Sequence, residues 1–173
     1  MTDFSRVHLR RVISAGAVRI DGSGGKPSYS FICYGFKSFA EASYAAWEVQ
    51  LVFVDLLSKK VGGGQRLGLG LGMGMVGPGA VRHDRELWDL KLKAVQQAGY
   101  EGKIGFQVDV AAGTYWEPSK QRFVGIFSAQ DKTRDDLLRL YEDMVRNYPF
   151  VILEDPLDED DYEGHALLTR SLG

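Results

Sequence analysis

The stretch Val151-Ile152-Leu153-Glu154-Asp155-Pro156-Leu157-Asp158-Glu159-Asp160-Asp161 runs from bulky apolar residues into a carboxylate, and from there into turn chemistry. Phe150 to Leu153 are apolar without polar alternation, which predicts a strand of a parallel sheet covered on both faces. Glu154 stands where that strand ends, and Pro156 has no N–H with which to continue a ladder. In a β/α barrel the carboxyl ends of the strands form the active face, so an acid there favours a functional role. Ile104-Gly105-Phe106-Gln107-Val108-Asp109 repeats the arrangement, with small residues (Ala111, Ala112, Gly113) beside the second carboxylate. The separation of 45 positions from Asp109 to Glu154 leaves room for a crossover helix. Two acids at equivalent strand ends suit one hard cation, although spacing alone leaves turn residues equally open.

Outward from these strands, helix and strand alternate. Residues 7–20 read as two short strand pieces broken by Ala15-Gly16-Ala17, Gly22 to Pro27 as a loop, and Tyr29 to Tyr34 as a strand. Ser38 with Glu41 three residues on predicts a capping box, and Ala42, Ala45, Val49, Val52 and Leu56 give the following helix one apolar face. Lys59 and Lys60 suit its negative end. A second helix is expected from Asp84 to its stop at Gly99, a third from Thr133 to Pro149, and a fourth from about Asp160. This order predicts an α/β protein with a mostly parallel sheet.

Bulk properties describe an ordinary globular chain. Its 173 residues can bury one core, and 45% hydrophobic with 25% charged residues is average. A net charge of −2 gives no reason to expect nucleic acid or an anionic membrane as partner. The single Cys33 rules out an internal disulfide and reads as a buried thiol. Neither a signal-like apolar core after Met1 nor a spanning apolar run is present, so a cytoplasmic protein is expected. Gly62 to Gly79 is half glycine and holds Gly72-Met73-Gly74-Met75-Val76-Gly77. A dinucleotide site needs a strand before that motif and a helix opening inside it; Pro78-Gly79 follow instead, so the stretch reads as a flexible loop.

Val108-Asp109-Val110-Ala111-Ala112 and Leu153-Glu154-Asp155-Pro156-Leu157 with Asp160-Asp161 resemble the metal-ligand strands of the enolase (phosphopyruvate hydratase) family. Ser38-Phe39-Ala40-Glu41-Ala42 through Trp47-Glu48-Val49, Ala98 to Ile104, and Tyr148-Pro149 agree with the same family. The resemblance spans residues 10–172 and implies part of a TIM-like barrel: one incomplete barrel domain over residues 1–173 with its Gly-rich loop at 62–79. It further implies a lyase interconverting 2-phosphoglycerate and phosphoenolpyruvate in glycolysis, with Asp109 and Glu154 as Mg²⁺ ligands and Glu48 as a catalytic acid-side carboxylate.

Departures from the family pattern point the other way. The family's histidine loop aligns near Val18-Arg19-Ile20-Asp21, its catalytic glutamate with Ser28, and the acids of its Asp-Glu-Gly-Gly element with Met73-Gly74. His8, His83 and His165 match no catalytic position, and Lys103 precedes its strand, at the stability-bearing end of a barrel. The third metal-ligand Asp and the Lys base of the family fall beyond Gly173. The expectation is weak Mg²⁺ binding, no turnover by this chain alone, and open sheet edges covered by a protein partner or by self-association. The alternative is a pseudoenzyme used as a structural or interaction module. A related metal-dependent lyase is a weaker third reading, because no replacement base is evident.

Overall fold

The computed structural model describes residues 8–14, 27–61, 75–76 and 81–173. Its main sheet contains β1 (His8–Ser14), β2 (Ser28–Cys33), β3 (Met75–Val76), β4 (Ile104–Asp109) and β7 (Phe150–Glu154), in the order β3-β1-β2-β4-β7. A two-stranded ribbon, β5 (Trp116–Glu117) with β6 (Arg122–Phe123), follows a 3₁₀ turn at Ala112–Tyr115. The helices are α1 (Phe39–Val61), α2 (Arg85–Gln97), α3 (Arg134–Asn147) and α4 (Tyr162–Leu172).

Direction within the sheet corrects one expectation. β4 and β7 pair in parallel, as do β1 and β3, but β2 runs antiparallel to both β1 and β4. Half of the four pairings are therefore antiparallel and the sheet is mixed, while β1, β3, β4 and β7 all point the same way. The hydrophobic run of β2 gave no sign of its direction. All six of its residues are buried, and a strand covered on both faces reads alike whichever way it runs. Among the described residues the sheet is open, with β7 at one edge.

Aromatic residues of the strands and helices make the core. Trp88 of α2 meets Phe127, Tyr148 and Phe150 edge-on at centroid distances of 5.9, 5.5 and 5.6 Å. Each such pair is worth about 0.5–1.5 kcal/mol beyond its buried area. Gly105 lets β4 and β7 approach. A Cβ there would lie 2.9 Å from the Pro149 carbonyl oxygen and 3.0 Å from Val151 Cγ1.

Capping follows the sequence reading at α3, holds in part at α1 and departs from it at α2. Thr133 and Asp136 form the reciprocal box at α3, and Asp161 accepts from Gly164 N at α4 (2.9 Å). At α1 the Ser38 hydroxyl accepts from Glu41 N, but the Glu41 carboxylate reaches back to Lys37 N rather than to Ser38. Asp84 at α2 turns away from its own helix. It is fully buried and accepts from the Tyr29 hydroxyl at 2.7 Å, while Glu86 accepts from Arg82 N instead. Gly99, at φ +77°, ends α2 as expected. Of the glycine-rich stretch only Met75–Val76 is described, as β3 beside β1, where a loop was expected; its remainder and Val18–Asp21 lie outside the described residues.

Candidate functional site

β4 and β7 are adjacent and parallel, and their register sets Asp109 directly opposite Glu154, each the last residue of its strand. Both carboxylates therefore lie at the carboxyl end of the sheet on the same face. Backbone bonds beyond the strand ends lock this register, from Val110 N to Glu154 O (2.9 Å) and from Ala112 N to Asp155 O (3.0 Å). The chain turns sharply after each acid. Ala111 and Asp155 take φ values of 48° and 46°, a left-handed conformation that costs a non-glycine residue about 1–2 kcal/mol. Gly113 admits Glu159 into the same region, since a Cβ on it would meet Glu159 Oε2 at 2.6 Å.

Neutral donors hold both acids. The Ser28 hydroxyl lies 3.5 Å from Asp109 Oδ2, across the antiparallel β2–β4 pairing in which these two residues are opposite. Gln107 Nε2 donates to Glu154 Oε2 at 2.7 Å. Gln107 precedes Asp109 by two residues and so shares its face of the sheet, one layer below the acids. Spacing alone missed this residue; a polar side chain inside an otherwise apolar strand was the available signal. Asp109 is 9% exposed, whereas Glu154 is open to solvent.

Further acids surround this end. Asp155 and Glu159 line a cleft of about 350 Å³ with Ala111, Gly113, Thr114, Leu157 and His165. A second cleft, of about 580 Å³, joins Trp116, Arg122 and Phe123 to Asp158, Asp160, Asp161 and Arg134, and Arg134 pairs with Asp161 and Glu163. Among the described residues no group of three His, Cys, Asp or Glu side chains converges tightly enough to hold a metal by itself. The donor chemistry at Asp109 and Glu154 is nevertheless that of a hard, oxygen-seeking cation, and the pair fits part of such a shell.

Glu48 is not brought to this site. It lies on α1 and accepts at 2.5 Å from the Tyr100 hydroxyl, in the turn that enters β4, at the end of the strand opposite Asp109. That bond pushes the tyrosine up to about 12. Lys103 is at the same remote end, with its ammonium 5.7 Å from the Phe36 ring. His165 contacts the Asp158 carbonyl at 3.2 Å. His83 is half-buried, edge-on to Trp88 at 5.8 Å, and burial with Lys132 and Arg85 nearby lowers it to about 4. His8 lies in β1. Among the described residues no helix is long and apolar enough to cross a membrane.

The fold and the acid-bearing strand ends define an α/β protein with paired carboxylates at the carboxyl ends of two adjacent parallel strands. Residues 19–173 match the family model described as enolase, C-terminal TIM barrel domain. The enolase of Corynebacterium kroppenstedtii is 32% identical over 171 residues, covering 96% of this chain and 38% of that protein. That of Methanopyrus kandleri is 34% identical over 151 residues, covering 84% and 33%, and that of Methanococcus aeolicus is 40% identical over 88 residues, covering 51% and 20%. The chain belongs to the enolase family. It spans 38% of the length of the first of these relatives and less of the other two.

Proposed function

We propose that this chain carries the cation-holding part of an enolase-type lyase site, of the kind that interconverts 2-phosphoglycerate and phosphoenolpyruvate in the cytoplasm. The observation that supports this reading is the in-register pair Asp109 and Glu154 at the ends of β4 and β7. These carboxylates would hold Mg²⁺, which supplies positive charge against the negative charge that builds up when a proton leaves the carbon beside a carboxylate. Two carboxylates fill a minor part of an octahedron, so binding is weak until substrate oxygens and waters complete it.

Proton abstraction needs a positioned base, worth about 10²–10⁴-fold in rate. Lys103 faces the wrong end of β4, and the Lys132 ammonium is engaged by Ile126 O, Ser128 Oγ and Gln130 O at 2.7–2.9 Å. Ser28 cannot replace a carboxylate in acid–base work near neutral pH, and Glu48 is bound to Tyr100. The chain purified alone is therefore inactive. A coupled assay with Mg²⁺ and 2-phosphoglycerate tests this. Phosphoenolpyruvate formation that disappears in Glu154→Gln would mean that the site is complete and the inactive reading is wrong.

A second reading, a pseudoenzyme serving as an interaction module, draws on the edge strand β7. Val145, Phe150, Val151, Leu153, Leu168 and Leu172 line a groove of about 360 Å³ beside it. An apolar strand edge invites pairing, either with a protein partner or with a second copy. Sedimentation of the purified chain separates the readings: self-association abolished by Val151→Lys favours the module, and a monomer unaffected by that change counts against self-association.

A further inference from the structure

Gln107 is the side chain of the site that the family pattern leaves unexplained. Among the described residues it makes one hydrogen bond, from Nε2 to Glu154 Oε2 at 2.7 Å, and its Oε1 is buried without an acceptor role. Leaving a buried carbonyl oxygen unsatisfied costs about 1–3 kcal/mol. A glutamine retained for stability would engage both of its polar atoms, or be replaced by an apolar residue of the same size. This one is aimed at Glu154 at the expense of its other half.

The consequence falls on how Glu154 can bind an ion. With Oε2 accepting the amide proton, the carboxylate would have Oε1 left for a cation and would bind it through one oxygen. Monodentate carboxylates suit Mg²⁺, which takes six oxygens at about 2.0–2.1 Å and keeps several waters. Ca²⁺ takes 6–8 oxygens at about 2.3–2.6 Å and gains from a carboxylate that closes on it with both. Donors of this kind behind a ligand typically change metal affinity by about 10–100-fold.

We propose that Gln107 is a positioning and specificity-determining residue: by holding one oxygen of Glu154 it makes the Asp109–Glu154 pair select small octahedral cations against Ca²⁺. This rests on the reading of that pair as a cation site. The test measures Mn²⁺ binding to the full chain by electron paramagnetic resonance, with Mg²⁺ and Ca²⁺ as competitors, in the native chain and in Gln107→Met, Asp109→Asn and Glu154→Gln. Urea unfolding is followed in parallel. In Gln107→Met the Mg²⁺-over-Ca²⁺ preference falls roughly tenfold or more, while the urea midpoint holds or rises because the stranded carbonyl is gone. A merely structural glutamine would give the opposite pattern, a lower midpoint with an unchanged ion ratio, and that result overturns the inference. Binding that survives both Asp109→Asn and Glu154→Gln, or none at millimolar Mn²⁺, overturns the carboxylate-pair reading itself and the inference with it. An unchanged ratio in Gln107→Met, with binding still lost in the two acid variants, overturns only the role of Gln107.

Discussion

Replacing Lys91 by methionine should stabilise this protein. Lys91 lies on α2 with 0% exposure, and its Nζ has no hydrogen-bond partner among the described residues. Its ammonium nitrogen sits 3.4 Å from the centroid of Phe31, 4.9 Å from Phe106 and 5.7 Å from Phe53. Burial drives this amine well below the ordinary lysine value, which favours its neutral form in the core. Each pH unit between 7 and an ordinary lysine pKa of ~10.4 costs about 1.4 kcal/mol, which bounds the cost of deprotonation at about 4–5 kcal/mol at pH 7. Stranded amine protons add about 1–3 kcal/mol. Dispersion contact with the three rings returns part of this. Methionine keeps the length, the straight chain and a favourable sulfur–ring contact. The expected gain is about 2–4 kcal/mol at pH 7. Its pH dependence is the sharper check. The native state binds fewer protons at this site than the unfolded chain, so stability rises with pH until the unfolded lysine also loses its proton. The advantage of Lys91→Met should therefore shrink as pH rises from 7 to 9, by at most about 1.4 kcal/mol per unit. Urea unfolding of both proteins across that range measures it. A variant less stable at pH 7, or an advantage that does not change with pH, would refute the neutral amine and leave an ammonium held by the rings.

Further outcomes follow from other parts of the fold. Thr133→Ala removes the hydroxyl that accepts from Asp136 N at 3.1 Å, and should cost about 1 kcal/mol in chemical denaturation. Asp136, held at about 2 chiefly by the Thr133 backbone N–H and then its hydroxyl, should move up in the same variant, as carbon-detected NMR would record. Gly105→Ala forces a Cβ to within 2.9 Å of the Pro149 carbonyl oxygen and should cost about 1–3 kcal/mol, with the β4–β7 amides losing hydrogen-exchange protection first. His83 should titrate at about 4 by proton NMR; because its folded value is depressed by burial, its contribution is lost as pH falls from about 6.5 towards 4, and a titration near 6.5 would contradict its packing against Trp88.

The sequence by itself determined the local elements and the ends of the two acid strands. Apolar runs closed by Asp109 and by Glu154-Asp155-Pro156 mark strand termini through properties carried within a few residues. Thr133 with Asp136 marks a helix start for the same reason. Tertiary structure decided everything that depends on register between distant segments. Asp84 has the form of a helix cap, yet Tyr29, 55 residues away, claims its carboxylate. Glu48 reads as a site acid, yet α1 carries it to Tyr100 at the opposite end of β4. The direction of β2 is invisible in a run buried on both faces, and it sets Ser28 opposite Asp109. Gln107 and Lys91 look like unremarkable polar residues in the chain. One is joined to Glu154 across 47 positions and the other is enclosed by rings from β2, α1 and β4. Local patterning selects which face of an element is apolar; only the packed arrangement of elements selects which polar atoms meet, because that choice is made by side chains whose backbones are joined by long, nonlocal loops.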